Sequence, residues 1–377
     1  MQKLHLFTHE FFPKRGGAGV VAEELARAAS ALGLDTHVWA PKDTLAQQAE
    51  LPFSLGSIPN NGTQGWSCCS KTLKKMGSKR RELSSSIVHL AEAGAIKACL
   101  YGQLRGAVPN SRKFILTLHG SEILNLSKFP HEKFLLNRLI NRADILHVLS
   151  HATEQLLLKH FPKAEPKVKV LPGAGRSLLP SNNRGPIEVP DTTGKKICLT
   201  VARIHPRKGQ HVCLSALAAM SREKRKEIEY WIVGPIVNRD YNRRLREHAG
   251  RMDVPVRFWG EVADADLPAL YSKADAFVMT SVPYRRSVEG FGLVYLEAAE
   301  RGIPSIGHKI GGVDEAVADG VSGILCRTYE VAALTEALEK LLFDSEYRDS
   351  LGKTAREFAT KFSWESMARG LYLDDGQ

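Results

Sequence analysis

Short strand-like apolar runs alternate with longer helical patterns along this chain of 377 residues, and this alternation constrains the fold more than any other feature. Most runs are β-branched or aromatic and almost continuously apolar, as in strands that are covered on both faces. The predicted strands are residues 4–8, 36–40, 87–91, 114–119, 145–150, 168–172, 197–202, 230–234, 256–260, 276–281, 304–308 and 323–326. Such alternation predicts parallel sheets with helices on both faces.

Residues 172–195 divide this pattern into two similar halves. They are rich in Pro, Gly, Ser and Asn and show no sustained periodicity, which is typical of a linker. We therefore expect two facing, doubly wound α/β domains of the Rossmann-like type, residues 1–178 and 179–358. Residues 359–377 should form a helix, with Ser363 as its N-cap, that packs back on the first domain. Ligands of such sheets bind at the carboxyl ends of the strands, so a cleft between the domains is the expected site.

Charge narrows the class of partner. The chain has 52 Lys and Arg against 41 Asp and Glu, a net charge of +11, which favours nucleotides, phosphorylated substrates, an anionic membrane or nucleic acid as partners. The densest basic cluster is Lys71, Lys74, Lys75, Lys79, Arg80 and Arg81. It is either a solvated basic helix or loop, or a surface that contacts anionic lipid or a phosphorylated acceptor. No helix-turn-helix, zinc-finger or RNP-like pattern accompanies it, so we expect no nucleic-acid partner.

Two further patterns concern location and thiol chemistry. No run approaches 18 consecutive apolar residues, and the first residues have too short an apolar run for a signal peptide. We expect a cytoplasmic protein, at most peripheral on the cytoplasmic face of the membrane. The six cysteines form no CxxC pair and mostly lie in apolar runs, which predicts reduced core thiols and no structural zinc.

The strongest motif is SVEGFGLVYLEAAERGIPSIG at residues 287–307. Its first two glycines let the backbone approach a ligand, and a helix that should begin near Phe291 directs its first amides towards that ligand. Glu289 precedes the helix and Glu297 lies about two turns into it, where carboxylates accept hydrogen bonds from sugar or ribose hydroxyls. Alternatively, Glu289 only compensates the helix dipole and Glu297 is a surface residue.

The segment TVARIHPRKGQ, residues 200–210, follows a strand and precedes a helix. Its cations Arg203, Arg207 and Lys208 would then lie at the carboxyl edge of the second sheet. They could neutralise a diphosphate, Arg by forked hydrogen bonds and Lys as a point charge. The alternative is a solvated basic loop.

Two segments of the first half also connect a predicted strand to a helix. FFPKRGGAGVVAEELA, residues 11–26, places Gly16 and Gly17 at a helix N-terminus, open to a phosphate or a sugar. It contains a GxGxxA string, but about eight residues separate it from the strand, which disfavours nicotinamide or flavin binding. His119 ends a strand in LTLHGSEI and either contacts substrate or is structural, with Glu122 beside it or capping the next helix.

Together these segments resemble the retaining glycosyltransferases of family 4, which have the GT-B fold. The resemblance covers nearly the whole chain: GGAG, ARIHPRKG with an Arg and a Lys five apart, the Glu-x7-Glu pair in EGFGLVYLE, the downstream RGIPSIGHKIGGVDEAVADGVSGILC, and the closing FSWE. It implies an N-terminal acceptor-binding domain and a C-terminal donor-binding domain. The implied reaction moves a hexose from a UDP- or GDP-sugar to a glycan, lipid-linked or small-molecule acceptor, with retention.

The resemblance also implies roles for the matching residues. The catalytic residues would be His119, Arg203, Lys208 and Glu289. The donor-binding residues would be Gly17, Arg203, Lys208, Gly234, Glu261, Val262, Glu289, Phe291, Gly292, Leu293 and Glu297. The acceptor-binding residues would be Gly16, Gly17 and His119. Arg203 and Lys208 would hold the diphosphate and Glu297 the ribose hydroxyls. The resemblance further implies that neither a metal nor another cofactor is needed, which suits a site where cations and a helix dipole would offset the phosphate charge.

Two departures from the family pattern leave the donor base and the acceptor open. The stretch VGPIVNRD, residues 233–240, stands where many relatives have an acidic GDGP turn, and the basic segment 60–85 has no feature that fixes an acceptor. The competing functions are a nucleotide-sugar epimerase, a sugar phosphorylase, a dehydrogenase, and a catalytically silent partner subunit of a glycosyltransferase complex. A silent subunit would have lost its donor-binding side chains. This chain retains the four charged ones that the motifs require, Arg203, Lys208, Glu289 and Glu297.

Overall fold

The computed structural model describes residues 2–12, 16–42, 51–178 and 187–373. The chain divides into two compact units, the first formed by Met1–Gly173 with Phe362–Gln377 and the second by Ala174–Lys361. The division thus falls at Gly173, before the predicted boundary at 178/179, whose second residue lies outside the described residues.

The first unit is built on a parallel sheet. Over the described residues its strands are β1 Lys3–Phe7, β2 Asp35–Pro41, β3 Ser54–Ile58, β4 Ile87–Leu90, β5 Lys113–Leu118, β6 Ile145–Val148 and β7 Val168–Val170. Its helices before residue 174 are α1 Gly17–Ala31, α2 Trp66–Ser78, α3 Arg80–Ser84, α4 Ala93–Gly102, α5 Ser121–Leu126, α6 Pro130–Arg142 and α7 His151–His160. The strand order is β3-β2-β1-β4-β5-β6-β7.

The second unit repeats this plan. Within the described part its strands are β8 Lys196–Val201, β9 Ile228–Val233, β10 Val256–Gly260, β11 Ala276–Met279, β12 Ser305–His308 and β13 Gly323–Cys326. Its helices are α8 Gln210–Ala218, α9 Arg222–Glu227, α10 Arg239–Arg251, α11 Leu267–Tyr271, α12 Leu293–Glu300, α13 Val313–Ala316, α14 Val331–Phe343 and α15 Ser345–Ala359. The strand order is β10-β9-β8-β11-β12-β13, again with parallel pairing.

The order of strands reverses at one place in each sheet. Strand β1 lies between β2 and β4, and β8 lies between β9 and β11. Loops that leave neighbouring strands in opposite directions open a crevice at the carboxyl edge, which is where doubly wound sheets bind ligands. The loops after β8 and β11 therefore define the expected site of the second unit.

Each predicted strand overlaps an observed one, but one observed strand, β3, was not predicted. Its sequence SLGSI contains no apolar run, and it lies at the edge of the first sheet, where only part of it is buried. The central strands β4, β6 and β11 are buried throughout, which explains their continuous apolar character.

Helix α1 begins at Gly17, at the glycines predicted for its N-terminus, and most of its residues are buried. Its buried apolar side chains include Val21, Leu25 and Ala28. Glu23 is only 7% exposed, and its carboxylate accepts a hydrogen bond from Arg27 at 2.8 Å.

The last helix, α16 Trp364–Tyr372, belongs to the first unit. The hydroxyl of Ser363 caps it by accepting the amide of Ser366 at 3.3 Å. The buried hydroxyl of Tyr372 lies 2.8 Å from Nδ1 of His89 on β4. From there a buried chain continues through Thr117 on β5, 2.6 Å from His89 Nε2, to His147 Nδ1 on β6, 2.8 Å from the Thr117 hydroxyl. Burial lowers the pKa of both histidines, so the side chains of this hydrogen-bonded row are uncharged at neutral pH.

The six cysteines are all buried and unpaired, which confirms the prediction of core thiols. The first unit contains Cys68, Cys69 and Cys99, and the second contains Cys198, Cys213 and Cys326.

Candidate active site

The loop between β8 and α8 contains a short 3-10 turn, Pro206–Lys208. His205 fixes the start of the turn, because its Nδ1 accepts the amide of Arg207 at 3.2 Å. Gly209 ends the turn with φ +70°, and an added Cβ there would lie 1.7 Å from the carbonyl oxygen of Thr280. The hydroxyl of Thr280 donates to the Gly209 carbonyl at 2.8 Å. The loop after β8 is therefore held directly against the residues that follow β11.

Glu289 receives three donors on one carboxylate oxygen. Its Oε2 lies 2.7 Å from Nη1 of Arg207, 2.7 Å from Nζ of Lys208 and 2.8 Å from the hydroxyl of Ser281. Glu289 itself is only 8% exposed. The structure thus brings together the predicted residues Lys208 and Glu289 where the order of strands reverses. Glu289 forms an ion pair with these cations, which goes beyond the alternative role of compensating a helix dipole.

Two cations share this one carboxylate, and the pKa values reflect it. Burial raises the pKa of Glu289, but Lys208 and Arg207 outweigh that effect and lower it to about 2. Burial lowers the pKa of Lys208 to about 8, against the attraction of Glu289 and with further repulsion from Arg207. Glu289 is therefore ionised at neutral pH, whereas Lys208 starts to lose its proton a little above it. The cluster retains an excess of positive charge, which suits an anionic ligand.

Arg203, the other predicted cation, lies outside this cluster. Its side chain is exposed, and its backbone carbonyl accepts a hydrogen bond from Gln210 at 3.0 Å. Across the described residues, no carboxylate lies within ion-pair distance of its guanidinium. The buried arginine of this cluster is Arg207. It was predicted among the loop cations that could neutralise a diphosphate, but it is not among the residues that the family resemblance implies. The 3-10 turn decides which of these arginines reaches Glu289.

The backbone around Glu289 is fixed from two sides. Helix α12 begins at Leu293, not near Phe291 as predicted, because Gly292 adopts φ +102° before it. Phe291 is buried beside this turn. On the other side, the amide of Gly312 donates to the carbonyl of Glu289 at 3.0 Å. The predicted glycine-rich entry to the helix is confirmed, with a later start.

Glu297 is not a surface residue. It is 1% exposed, and Arg176 holds its carboxylate with two hydrogen bonds, Nε to Oε1 at 2.6 Å and Nη2 to Oε2 at 3.0 Å. The hydroxyl of Tyr271 donates to Oε2 at 2.9 Å. Arg176 also donates from Nη1 to Oδ1 of Asp264 at 2.7 Å. No sequence motif marks Arg176, because it lies in the segment with linker composition, residues 172–195.

Three further residues predicted to bind the donor, Gly234, Glu261 and Val262, occupy the same edge of the second sheet. Gly234 follows β9 with φ +140°, and an added Cβ would lie 2.2 Å from the carbonyl oxygen of Ala202. Its amide donates to the carbonyl of Gly260 at 2.7 Å. Glu261, which is exposed, and Val262 follow directly. The ends of β9 and β10 are thus joined to the start of the loop that carries Lys208.

In the first unit, Gly16 and Gly17 lie at the start of α1. The amide of Gly16 donates to Oε2 of Glu10 at 3.1 Å. Gly17 is the first residue of the helix, and an added Cβ would meet no atom of the described residues within 4 Å. As far as the described residues determine it, the space beside Gly17 is open to a ligand.

His119 directly follows β5, and its Nε2 lies 2.9 Å from the carbonyl oxygen of Ala91, just beyond β4. Its amide donates to the carboxylate of Glu122 in the first turn of α5. A neighbouring residue that was not predicted, Glu92, accepts the amide of His9 at 2.8 Å and so joins the ends of β1 and β4. These contacts place His119 beside the reversal of strand order in the first sheet.

No group of three or more His, Cys, Asp or Glu side chains that could hold a metal ion occurs in the described ranges, 2–12, 16–42, 51–178 and 187–373.

Two family models match successive parts of the chain. Residues 15–174 match the model described as Glycosyltransferase Family 4, and residues 187–358 match the model described as Glycosyl transferases group 1. The chain belongs to glycosyltransferase family 4. The matches meet close to the division between the two units of the family 4 chain.

Two of the similar proteins come from Corynebacterium glutamicum and Mycolicibacterium smegmatis. The family 4 chain is 32% identical over 247 residues to D-inositol 3-phosphate glycosyltransferase of Corynebacterium glutamicum, an alignment that covers 62% of this chain and 57% of that protein. It is 27% identical over 273 residues to GDP-mannose-dependent alpha-(1-6)-phosphatidylinositol monomannoside mannosyltransferase of Mycolicibacterium smegmatis, covering 70% and 69%. The match to the corynebacterial protein spans less than two thirds of its length.

Solved structures share the fold over almost the whole family 4 chain. Sucrose-phosphate synthase of Thermosynechococcus elongatus has a TM-score of 0.77 at 20% identity, covering 98% of this chain and 97% of that one. Anabaena HepE in complex with UDP-glucose has a TM-score of 0.75 at 20% identity and covers 98% of both chains. At this identity the likeness shows the fold, which is GT-B, with two doubly wound Rossmann-like domains.

Proposed function

We propose that this chain transfers a hexose from a UDP- or GDP-sugar to a hydroxyl-bearing acceptor, with retention at the anomeric carbon. The observation that carries the proposal is the cluster of Arg207, Lys208 and Glu289. Two cations, the buried Arg207 and the partly buried Lys208, share one carboxylate at the reversal of strand order and keep positive charge for a diphosphate. The start of α12 lies next to this cluster and adds the positive end of a helix dipole.

The cluster suggests how the leaving group is stabilised. As the bond from the sugar to the β-phosphate breaks, negative charge grows on the phosphate oxygens. Lys208 and Arg207 are already fixed by Glu289, so they stabilise that charge without rearranging. Arg203, exposed in the same loop, would add a third cation. The acceptor hydroxyl attacks from the face that the phosphate leaves, through an oxocarbenium-like transition state, and its proton passes to an oxygen of the departing β-phosphate. No side chain serves as a covalent nucleophile.

We also propose that the reaction needs no divalent metal, because Lys208, Arg207 and the N-terminus of α12 together offset the phosphate charge. Turnover in a chelator should therefore equal turnover in magnesium. Loss of turnover in the chelator, restored by added magnesium, would contradict this part of the proposal.

The names of the relatives support both proposed bases. The mycobacterial relative is named as GDP-mannose-dependent, and the Anabaena structure contains UDP-glucose. A thermal-shift panel of UDP, GDP, ADP and their sugars tests this directly. A ligand at 100 times its dissociation constant stabilises a protein by about 2.7 kcal/mol. A panel in which no compound shifts the transition would overturn the proposed donor class.

An acceptor requirement separates a transferase from the other enzymes considered. An epimerase converts the donor alone, whereas a transferase forms product only when an acceptor is present. We propose a glycan, a lipid-linked glycan or a small molecule as the acceptor, bound on the side of Gly16, Gly17 and His119. The relatives named above act on inositol-containing acceptors, so inositol phosphate and phosphatidylinositol are the first compounds to assay.

The basic segment 71–81 supports a peripheral contact with anionic membrane, which we propose as a further partner. Helices α2 and α3 carry its cations except Lys79, which lies between the two helices. Lys74, Arg80 and Arg81 are exposed. Lys75 and Lys79 instead lie over the ring of Trp39, at 4.8 and 5.7 Å from its centroid. None of the helices in the described residues is both long and apolar enough to cross a bilayer.

Vesicle sedimentation tests this contact. Changing Lys74, Arg80 and Arg81 to Glu should abolish binding to phosphatidylglycerol vesicles. The matched control changes the exposed residues Arg239, Arg243 and Arg244 on α10 and alters net charge equally. Equal loss in both variants would show a non-specific charge effect and contradict a dedicated surface.

A further inference from the structure

We infer that Arg176 competes with the donor ribose for the carboxylate of Glu297 and must release it before the ribose hydroxyls bind. The inference rests on the proposed function, which places the ribose on Glu297. It assigns Arg176 as the residue that sets the affinity of this site for ribose-containing nucleotides.

The hydrogen bonds of Glu297 leave too few acceptor positions for a ribose diol. Its Oε1 accepts Nε of Arg176 at 2.6 Å, and its Oε2 accepts both Nη2 of Arg176 at 3.0 Å and the hydroxyl of Tyr271 at 2.9 Å. A carboxylate offers about four acceptor positions, and a ribose diol requires two of them. Three are already taken, so the diol and the arginine cannot both be accommodated.

Burial of Glu297 and Arg176 shows that the ribose hydroxyls must replace the arginine. Glu297 is 1% exposed, and the side chain of Arg176 is 12% exposed. The carboxylate is therefore covered, and a hydroxyl that approaches from solvent cannot contact it while the arginine stays in place. Ribose binding requires exchange rather than addition.

Asp264 provides a position to which the guanidinium can move. Its Oδ1 already accepts Nη1 of Arg176 at 2.7 Å, and its side chain is 37% exposed. A rotation of Arg176 away from Glu297 can therefore keep the Asp264 contact and gain water. Glu297 keeps the hydroxyl of Tyr271 throughout.

The backbone next to Arg176 does not need to move. The amide of Gly175 donates to Oε1 of Glu300 at 3.0 Å, and an added Cβ at Gly175 would lie 2.4 Å from that carboxylate. The segment is thus packed closely against α12, and the exchange involves the side chain of Arg176 alone.

Only molecules in which Arg176 is released can bind the ribose. The apparent affinity is therefore the intrinsic affinity multiplied by the fraction of such molecules. In the free protein the arginine compensates a carboxylate that would otherwise be buried without a partner cation. A nucleotide without the 2′ and 3′ hydroxyls does not use Glu297 and avoids this cost. The competition is therefore specific to the ribose diol.

The test measures dissociation constants by calorimetry for the nucleoside diphosphate that shifts the thermal panel and for its 2′,3′-dideoxy analogue. Arg176→Ala should bind the ribonucleotide at least about tenfold more tightly than the wild type, a change of 1.4 kcal/mol. The dideoxy analogue should bind both proteins equally. Arg176→Gln, which keeps an uncharged donor near Glu297, is measured in parallel in case the alanine variant does not fold, and should show an intermediate gain.

Asp264→Asn gives an opposite expectation. It weakens the alternative position for the guanidinium, so Arg176 should remain on Glu297 and ribonucleotide affinity should fall. The double variant Arg176→Ala with Asp264→Asn should bind as Arg176→Ala does, because no arginine is left to compete.

The outcomes separate this inference from the proposed function. If the wild type and the Arg176 variants bind the ribonucleotide equally, or the variants bind it more weakly, the competition is overturned and the donor class stands. If only the Arg176 variants bind it, the competition is supported. If none of the proteins binds any nucleoside diphosphate, the proposed function is overturned and the competition with it.

Discussion

The ammonium nitrogen of Lys208 lies 2.7 Å from Oε2 of Glu289, although 81 positions separate the two residues in the sequence. The loops that carry them leave the adjacent strands β8 and β11. Neither loop alone provides the site, because each charge is held in place by the other. A change at either residue is therefore expected to disturb both.

Lys208→Ala should reduce turnover by about 10²–10³-fold, the usual effect of removing one fixed donor from a developing anion. The measurement is release of the nucleotide in the presence of donor and acceptor. Lys208→Arg is the control, since it keeps the charge and should retain part of the activity. Nucleotide release by Lys208→Ala at the wild-type rate would show that this lysine does not contact the phosphate.

Nucleotide affinity should weaken as the pH rises above 8. The free protein holds the pKa of Lys208 at about 8, whereas a bound diphosphate favours the charged ammonium and raises that pKa. Binding above pH 8 therefore requires uptake of a proton, and the dissociation constant should rise by up to about tenfold per pH unit. Calorimetry at pH 7, 8 and 9 measures the effect. Lys208→Arg should remove the dependence, and an unchanged slope in that variant would assign the titration to another group.

Gly209→Ala should destabilise the second unit. Alanine must adopt φ +70°, and its Cβ would lie 1.7 Å from the carbonyl oxygen of Thr280. We expect a loss of about 2–5 kcal/mol in the free energy of unfolding, measured by urea denaturation. Gly250→Ala is the matched control, because Gly250 lies in α10 with no atom within 4 Å of its added Cβ. A stable Gly209→Ala with wild-type turnover would contradict the tight packing of this turn.

Gly17→Ala tests the predicted ligand contact in the first unit. An added Cβ meets no atom of the residues that the structure describes within 4 Å, and alanine favours a helix, so the variant should be at least as stable as the wild type. If a ligand approaches the backbone at Gly17, turnover should still fall by about tenfold or more, since the methyl group occupies that space. Unchanged turnover in both Gly17→Ala and the control Gly250→Ala would remove Gly17 from the site.

The fold could be predicted because buried parallel strands have a sequence pattern of their own. Strands β4, β6 and β11 are covered on both faces and are apolar throughout, so periodicity and length identify them. Strand β3 has a different environment. At the edge of the sheet its Ser and Gly residues need no apolar partner, and its pattern resembles that of a loop.

The site could be predicted only in part, for a geometric reason. Glu289 and Lys208 stand in motifs whose glycines and helix starts are visible locally, so their loops could be placed. Arg176 contacts Glu297 across 121 positions of sequence, and no local pattern marks such a pairing. Arg203 and Arg207 share one loop, and only the three-dimensional turn shows which of them reaches the carboxylate.

The buried cysteines can report local opening of the core in each unit. Each unit contains three buried thiols, Cys68, Cys69 and Cys99 in the first and Cys198, Cys213 and Cys326 in the second. An alkylating reagent reaches them only when the surrounding core exposes them. Peptide mass spectrometry after timed alkylation, with and without nucleotide, would therefore show which half of the molecule a ligand protects.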